Sequence, residues 1–122
     1  MKVAIPRMGE TVAPCFEYSA TIAVYSVEEG RVIDQIDFPI RSREPFDRIR
    51  LLRDQDVDTI ICGGVQDVFE DLLRASGIHL ISWVSGDVDA LLGKFLQGRL
   101  EPGGPAGRRP GPGQPPGEGK KS

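Results

Sequence analysis

An α/β fold on a five-stranded mixed sheet, strand order 3-2-1-4-5 with flanking helices, is predicted by three observations. Two apolar segments, 21–27 and 31–38, are joined by Glu28-Glu29-Gly30, a short glycine-ended connection that makes a β-hairpin. Thr59-Ile60-Ile61-Cys62 is an almost unbroken apolar, β-branched run of the kind a strand buried on both faces requires. From residue 45 onward helical and strand patterns alternate, which sets parallel strands with right-handed crossovers. The element order is βββαβαβα, and the first strand pairs most naturally with the fourth in mid-sheet.

The first strand, Lys2-Val3-Ala4-Ile5-Pro6, is short and is expected to end at Pro6, which has no N–H for a ladder. Residues 7–17 read as a long loop holding Met8, Gly9, Pro14, Cys15 and Phe16, with a soft-ligand character. The second strand is Thr21–Val27. The third, Arg31–Phe38, carries Asp34, Gln35 and Asp37 and suits an edge. Ser42, Glu44 and Pro45 mark the start of a helix whose stripe is Phe46, Ile49 and Leu52, with Asp47, Arg48, Arg50 and Arg53 as its solvated face.

After the central fourth strand, Gly63-Gly64 leads into a helix with Val68, Phe69, Leu72 and Leu73 on its apolar side and Gly77 as its stop. Ile78–Trp83 is the fifth strand. Ser85-Gly86-Asp87 opens a third helix in which Val88, Leu91, Leu92, Phe95 and Leu96 recur at i, i+3, i+4, i+7, i+8; Gly93 marks a close helix–sheet contact and Gly98 the end. From Glu101 onward 13 of 22 residues are glycine or proline. Such a segment cannot bury enough apolar surface to offset its ordering entropy, so the expected organisation is a domain over 1–101 and a disordered Gly/Pro-rich tail over 102–122.

Charge and cysteine usage narrow the function classes. The net charge is −3, and residues 1–100 carry 11 basic against 16 acidic side chains, so the folded part repels a phosphate backbone and nucleic acid is not the expected partner. No apolar run reaches the length of a membrane span, and the beginning of the chain has no signal-peptide layout, so a cytoplasmic protein is expected. Two cysteines, Cys15 and Cys62, do not make a disulfide scaffold; a redox pair and a pair of soft metal ligands both stay open.

In an open sheet of this order, ligands collect beyond the carboxyl ends of the parallel strands. The segments 6–17, 62–66 and 83–87 all leave that end, so Cys15 and Cys62 meet if the first loop folds back over Gly63-Gly64. Paired glycines before a helix leave backbone N–H groups bare beside the positive helix end, where an anion fits; the other reading is a tight turn and nothing more. Cys62 likewise reads either as a ligand or as a small core residue. Trp83 ends its strand on this side and walls a pocket or simply packs. His79 begins its strand at the opposite end and reads as structural. The first strand has no carboxylate for a two-metal site, and there is no phosphate loop and no Ser-His-Asp set, so no enzyme apparatus is visible.

Lys2-Val3-Ala4-Ile5-Pro6, Val12-Ala13-Pro14-Cys15-Phe16, Val57–Val65 with its Cys62-Gly63-Gly64, and Gly98-Arg99-Leu100 together resemble the dinitrogenase iron-molybdenum cofactor-binding family over roughly residues 1–101. The resemblance implies a ribonuclease H-like fold and a non-catalytic accessory that binds, carries or stores the iron-molybdenum cofactor or another iron-sulfur or metal-sulfur cluster. It implies Cys15, Phe16, Cys62, Gly63 and Gly64 as cofactor-binding residues, with Cys15 and Cys62 on the metal, and cluster-assembly proteins as partners of a monomer or weak homodimer. Where the family's pattern reads Pro-His-Phe-Gly, this chain has Pro14-Cys15-Phe16-Glu17. Cysteine for histidine keeps a soft or borderline ligand, whereas Glu17 adds negative charge beside an anionic cluster. The alternative reading is an interaction module of a cluster-assembly system with no metal of its own, which recruits its partner through the 31–38 edge strand and the basic tail. A weaker third is a phosphate or nucleotide sensor at the Gly-Gly turn.

Overall fold

The computed structural model describes residues 1–103. The order is β1 (Lys2–Met8), β2 (Thr11–Val12), a 3-10 turn (Phe16–Tyr18), β3 (Thr21–Glu28), β4 (Arg31–Pro39), α1 (Phe46–Asp54), β5 (Thr59–Ile61), α2 (Asp67–Ala75), β6 (His79–Ile81) and α3 (Val88–Leu96). Most of the tail expected to be disordered, from residue 104, lies outside the described residues.

The strands form one mixed sheet with the path β4-β3-β1-β5-β6, and β2 pairs with β1 beside that path. The expected count of five is therefore corrected to six: Thr11–Val12, read as loop, adds a two-residue strand antiparallel to Arg7 and Met8. β1 is parallel to β5, and β5 to β6, while β3 runs antiparallel to both β1 and β4. The hairpin turn is tighter than expected, because Glu28 pairs with Arg31 and only Glu29 (φ 53°) and Gly30 (φ 76°) bridge the strands. Two successive positive φ values are the signature of the two-residue turn that matches strand twist.

Pro6 does not end β1. It lies opposite Ile22 of β3, and its carbonyl accepts from Ala13 N–H at 2.9 Å. N–H and C=O of one strand residue point to the same side, so the missing donor faces away from β3. On that side the pairing with β5 covers only Val3 and Ala4.

Strand alternation divides the interior into two cores. Ile22, Val24, Ile60 and Cys62 pack with Ile49 and Leu52 of α1 and Phe69 and Leu73 of α2. Ala23, Tyr25, Val27 and Ile61 face the other way, onto Val88, Leu91 and Leu92 of α3. The result is three layers, with helices on both faces of the sheet. Asp87 caps α3 by accepting from Ala90 N–H at 3.0 Å.

Four local expectations fail. Ser42 caps no helix; its Oγ accepts from Glu44 N–H one turn early, and Pro45 takes the cap position of α1. Arg48, assigned to a solvated face, is 4% exposed. Val68 is 52% exposed because α2 turns Phe69 and Leu73 inward. A Cβ on Gly93 would meet nothing within 4 Å, so no close contact explains that glycine. Among the described residues no helix is long and apolar enough to cross a membrane.

Candidate functional site

β2 folds the first loop back. Val12 N–H donates to Gly86 O and Ala13 N–H to Pro6 O, both at 2.9 Å, which brings residues 13–17 over the carboxyl end of β5. There Cys15 and Gly64 form a one-residue parallel bridge: Gly64 N–H donates to Pro14 O and Phe16 N–H to Gly64 O, each at 2.8 Å. The Gly-Gly turn is thus covered, not bare. A Cβ on Gly63 would stand 2.5 Å from Ala13 O, and one on Gly64 3.1 Å from Pro14 O and 3.3 Å from the Trp83 ring. Glycine is required at 63 by the closeness of another backbone rather than by its own dihedrals.

The site residues expected from the sequence separate by depth. Cys15 is partly exposed. Phe16 and Cys62 are wholly buried in the core against α1 and α2. The structure brings the neighbourhood of the two thiols together through Gly64, but only Cys15 reaches the surface.

It borders a groove of about 370 Å³ whose lining includes Arg7, Met8, Pro14, Cys15 and Tyr18. Met8 and Tyr18 are 61% and 69% exposed. Arg7 is held by Nε donating to Gly9 O at 2.8 Å. A larger depression of about 690 Å³ lies between α1 and α2, lined by Phe46, Ile49, Arg50, Arg53 and Leu72 among others, with no sulfur ligand.

Glu17 is the residue whose role the sequence concealed. It is 2% exposed; the Cys15 thiol donates to its Oε2 and Gln66 N–H to its Oε1, each at 3.2 Å. The place where an external anion was expected, at the N-terminal end of α2, therefore holds the chain's own carboxylate. The one available signal was the spacing of Cys15 and Glu17, two residues apart at a 3-10 turn. Burial first, and then the hydrogen bond and charge of Glu17, push the Cys15 thiol above its ordinary value. Cys15 is therefore a neutral thiol at pH 7, and ligating a metal requires it to release its proton.

Burial pushes the Cys62 thiol up to about 12, with Glu17, Glu70 and Cys15 adding to the shift. Since the unfolded thiol ionises near 9.0, the unfolded state holds fewer protons than the fold above that pH, and stability falls as pH rises. Between pH 8 and 10 the expected loss from this group is about 1 kcal/mol. Urea unfolding at several pH values checks this, with Cys62→Ala showing a shallower slope over that range.

Among the described residues no cluster of three or more His, Cys, Asp and Glu side chains stands ready to hold a metal ion. The groove instead offers one thiol, one thioether and one guanidinium. A bare ion needs a fuller set of protein donors, whereas a cluster brings its own sulfides and needs only an anchor and a few polar contacts. The donor set fits the second kind of guest.

The chain matches the family model described as dinitrogenase iron-molybdenum cofactor over residues 1–98. No curated protein matches it. Among solved structures it is similar to a Methanocaldococcus jannaschii protein provisionally called a dinitrogenase, with TM-score 0.70 and 20% identity over 83% of this chain and 92% of that one. It is similar to a protein from Thermotoga provisionally called NifB, with TM-score 0.61 and 25% identity over 83% and 91%. The apo form of the orange protein from Desulfovibrio gigas is similar at TM-score 0.67 and 17% identity over 80% and 88%. With a family model spanning nearly the whole described fold, this chain belongs to the dinitrogenase iron-molybdenum cofactor family.

Proposed function

We propose that this chain is a non-catalytic carrier that binds and stores a metal-sulfur cluster, the iron-molybdenum cofactor or another iron-sulfur species, as an accessory in cofactor biosynthesis. One observation carries the reading: the accessible thiol of the fold, Cys15, stands on a groove with Met8 and Arg7 beyond the carboxyl ends of the parallel strands. Cys15 anchors the cluster as thiolate, and Arg7 offsets part of its negative charge. Phe16, Cys62, Gly63 and Gly64 form the wall behind that anchor. Cys62 joins as a second ligand only when the 13–17 loop lifts, because its thiol is otherwise enclosed. Family membership and the β4-β3-β1-β5-β6 path support the cofactor link and the ribonuclease H-like assignment. A cytoplasmic setting and cluster-assembly partners belong to the same proposal.

Reconstitution with iron and sulfide under anaerobic conditions tests it. The wild type is expected to gain visible sulfur-to-metal charge-transfer absorption, and Cys15→Ser to lose most of it. A colourless wild type, or colour unchanged in Cys15→Ser, removes the proposal.

The outer edge of β4 favours a second reading, an interaction module. Val32, Ile33 and Ile36 on it are 40%, 58% and 49% exposed, and a nine-residue edge offers a partner strand both main-chain pairing and apolar contact. Metal and acid-labile sulfide analysis of protein isolated without oxygen separates the two: the module carries none.

A further inference from the structure

β4 is the bare margin of the sheet. It pairs with β3 on one side, no other described strand pairs with it, and every residue in it except Phe38 is exposed. Its register against β3 shifts opposite Ser26 and Val27 but is regular from Asp34 to Pro39. Main-chain groups alternate in direction along an antiparallel strand. Ile40 N–H donates to Ala20 O at 2.8 Å, so Phe38, Ile36 and Asp34 turn their main-chain groups to β3, and Gln35 and Asp37 turn theirs outward. Pro39 also faces outward but has no N–H, so the open ladder stops there.

The side chains alternate as well. Ile36 stands beside Val24 on the face of α1 and α2, yet is 49% exposed. Gln35 and Asp37 stand beside Tyr25 and Ala23 on the face of α3, and Gln35 Nε2 donates to Asp37 Oδ1 at 2.9 Å.

This stretch is complementary to itself. When two β4 strands pair antiparallel, outward residues face outward residues, which puts the two-fold axis on a residue and not between two. An axis on Asp34 or Asp37 sets carboxylate against carboxylate. One on Gln35 sets Ile33 against Asp37 and Ile36 against Asp34, and one on Phe38 sets Asp37 against Pro39. An axis on Ile36 avoids all of these: Ile36 meets Ile36, Gln35 meets Asp37 twice as amide donor against carboxylate, and Asp34 lies opposite Phe38.

We infer that β4 is a dimer edge, pairing antiparallel about Ile36 with β4 of a second copy of this chain to make one continuous sheet. Gln35 and Asp37 of each copy exchange their outward main-chain bonds with Asp37 and Gln35 of the other, and the two Ile36 side chains cover each other. Dimerisation here neither needs nor excludes a cargo at Cys15, because β4 lines no part of that groove.

Amide hydrogen exchange of the full chain, labelled with nitrogen-15, is compared at low-micromolar and near-millimolar concentration. The outward amides of Gln35 and Asp37 are expected to exchange about tenfold more slowly at the higher concentration. Sedimentation equilibrium over the same range is expected to show the mass rising toward two chains. Gln35→Pro removes one outward N–H per copy without taking a bond from β3, and is expected to weaken association at least about tenfold. A wild type that stays monomeric throughout, or a dimer in which Gln35 and Asp37 exchange is unchanged, overturns the inference. So does a Gln35→Pro variant that associates within about twofold of wild type. Where that variant fails to fold, the wild-type exchange decides alone.

Discussion

Gly63→Ala is expected to destabilise the protein by about 3 kcal/mol, at the upper end of overpacking costs, and to release the Cys15 loop. The new methyl carbon would lie 2.5 Å from Ala13 O and 3.0 Å from Pro14 O. Neither neighbour is the far end of a flexible side chain. Both are backbone carbonyls tied into the fold, Ala13 through the bond of its N–H to Pro6 O and Pro14 by accepting from Gly64 N–H. Relief therefore requires the loop to move, and the loop's movement breaks the bridge that seats Cys15. Urea unfolding measures the first effect, and faster alkylation of Cys15 by iodoacetamide at pH 8 measures the second. Gly64→Ala provides the contrast: its nearest contacts are 3.1 Å to Pro14 O and 3.3 Å to the Trp83 ring, which gives by small shifts, so a smaller loss is expected. A Gly63→Ala variant as stable as wild type would mean that the loop does not press on the turn.

Arg48→Met is expected to cost a similar amount, about 3 kcal/mol, although the substitution keeps most of the apolar stem. The buried guanidinium donates twice to Ser19 O, from Nε at 3.0 Å and Nη2 at 2.7 Å, and Nη1 reaches Ser42 O at 3.3 Å and Glu44 O at 3.2 Å. Removing it leaves the Ser19 carbonyl buried without these donors, which is the costly kind of change. The effect should travel to the site. Ser19 Oγ donates to Phe16 O at 2.8 Å, and Phe16 N–H donates to Gly64 O, so Arg48 ties α1 to the loop that carries Cys15. Arg50→Met is the control. Arg50 is exposed and pairs with Asp47 one turn away, a solvent-screened surface ion pair that contributes little to stability. Equal melting temperatures for the two variants would contradict the assignment of Arg48 as the tie.

The Arg48 result also explains where reading the chain linearly stops. Asp47, Arg48, Arg50 and Arg53 look alike in sequence, as charges interspersed among Phe46, Ile49 and Leu52. A helix carries a charge inward only when something polar waits there, and the waiting group is the carbonyl of Ser19, 29 residues upstream. Glu17 repeats the lesson. Read alone it is one more acid near a cysteine; in the fold it is enclosed by its bonds to the Cys15 thiol and to Gln66 N–H, 49 residues on. Pro6 shows the opposite error, a strong local breaker that the fold tolerates because its missing donor falls where β5 is no longer paired.

What the sequence determined by itself was the set of elements and their layering. The hairpin, the buried central strand and the amphipathic face of α3 each follow from residue spacing and turn chemistry, which act over a few positions. It also marked Cys15, Cys62 and the Gly-Gly turn as belonging to one end of the sheet, since connections at the carboxyl side of parallel strands gather there. Only the tertiary structure decided which of these groups meets solvent. The loop at 13–17 settles on the turn through two main-chain hydrogen bonds, so the glycines accommodate protein backbone, Cys62 is enclosed and Cys15 stays at the surface. Exposure is a property of what packs across a residue, and the packing partner lies tens of residues away along the chain.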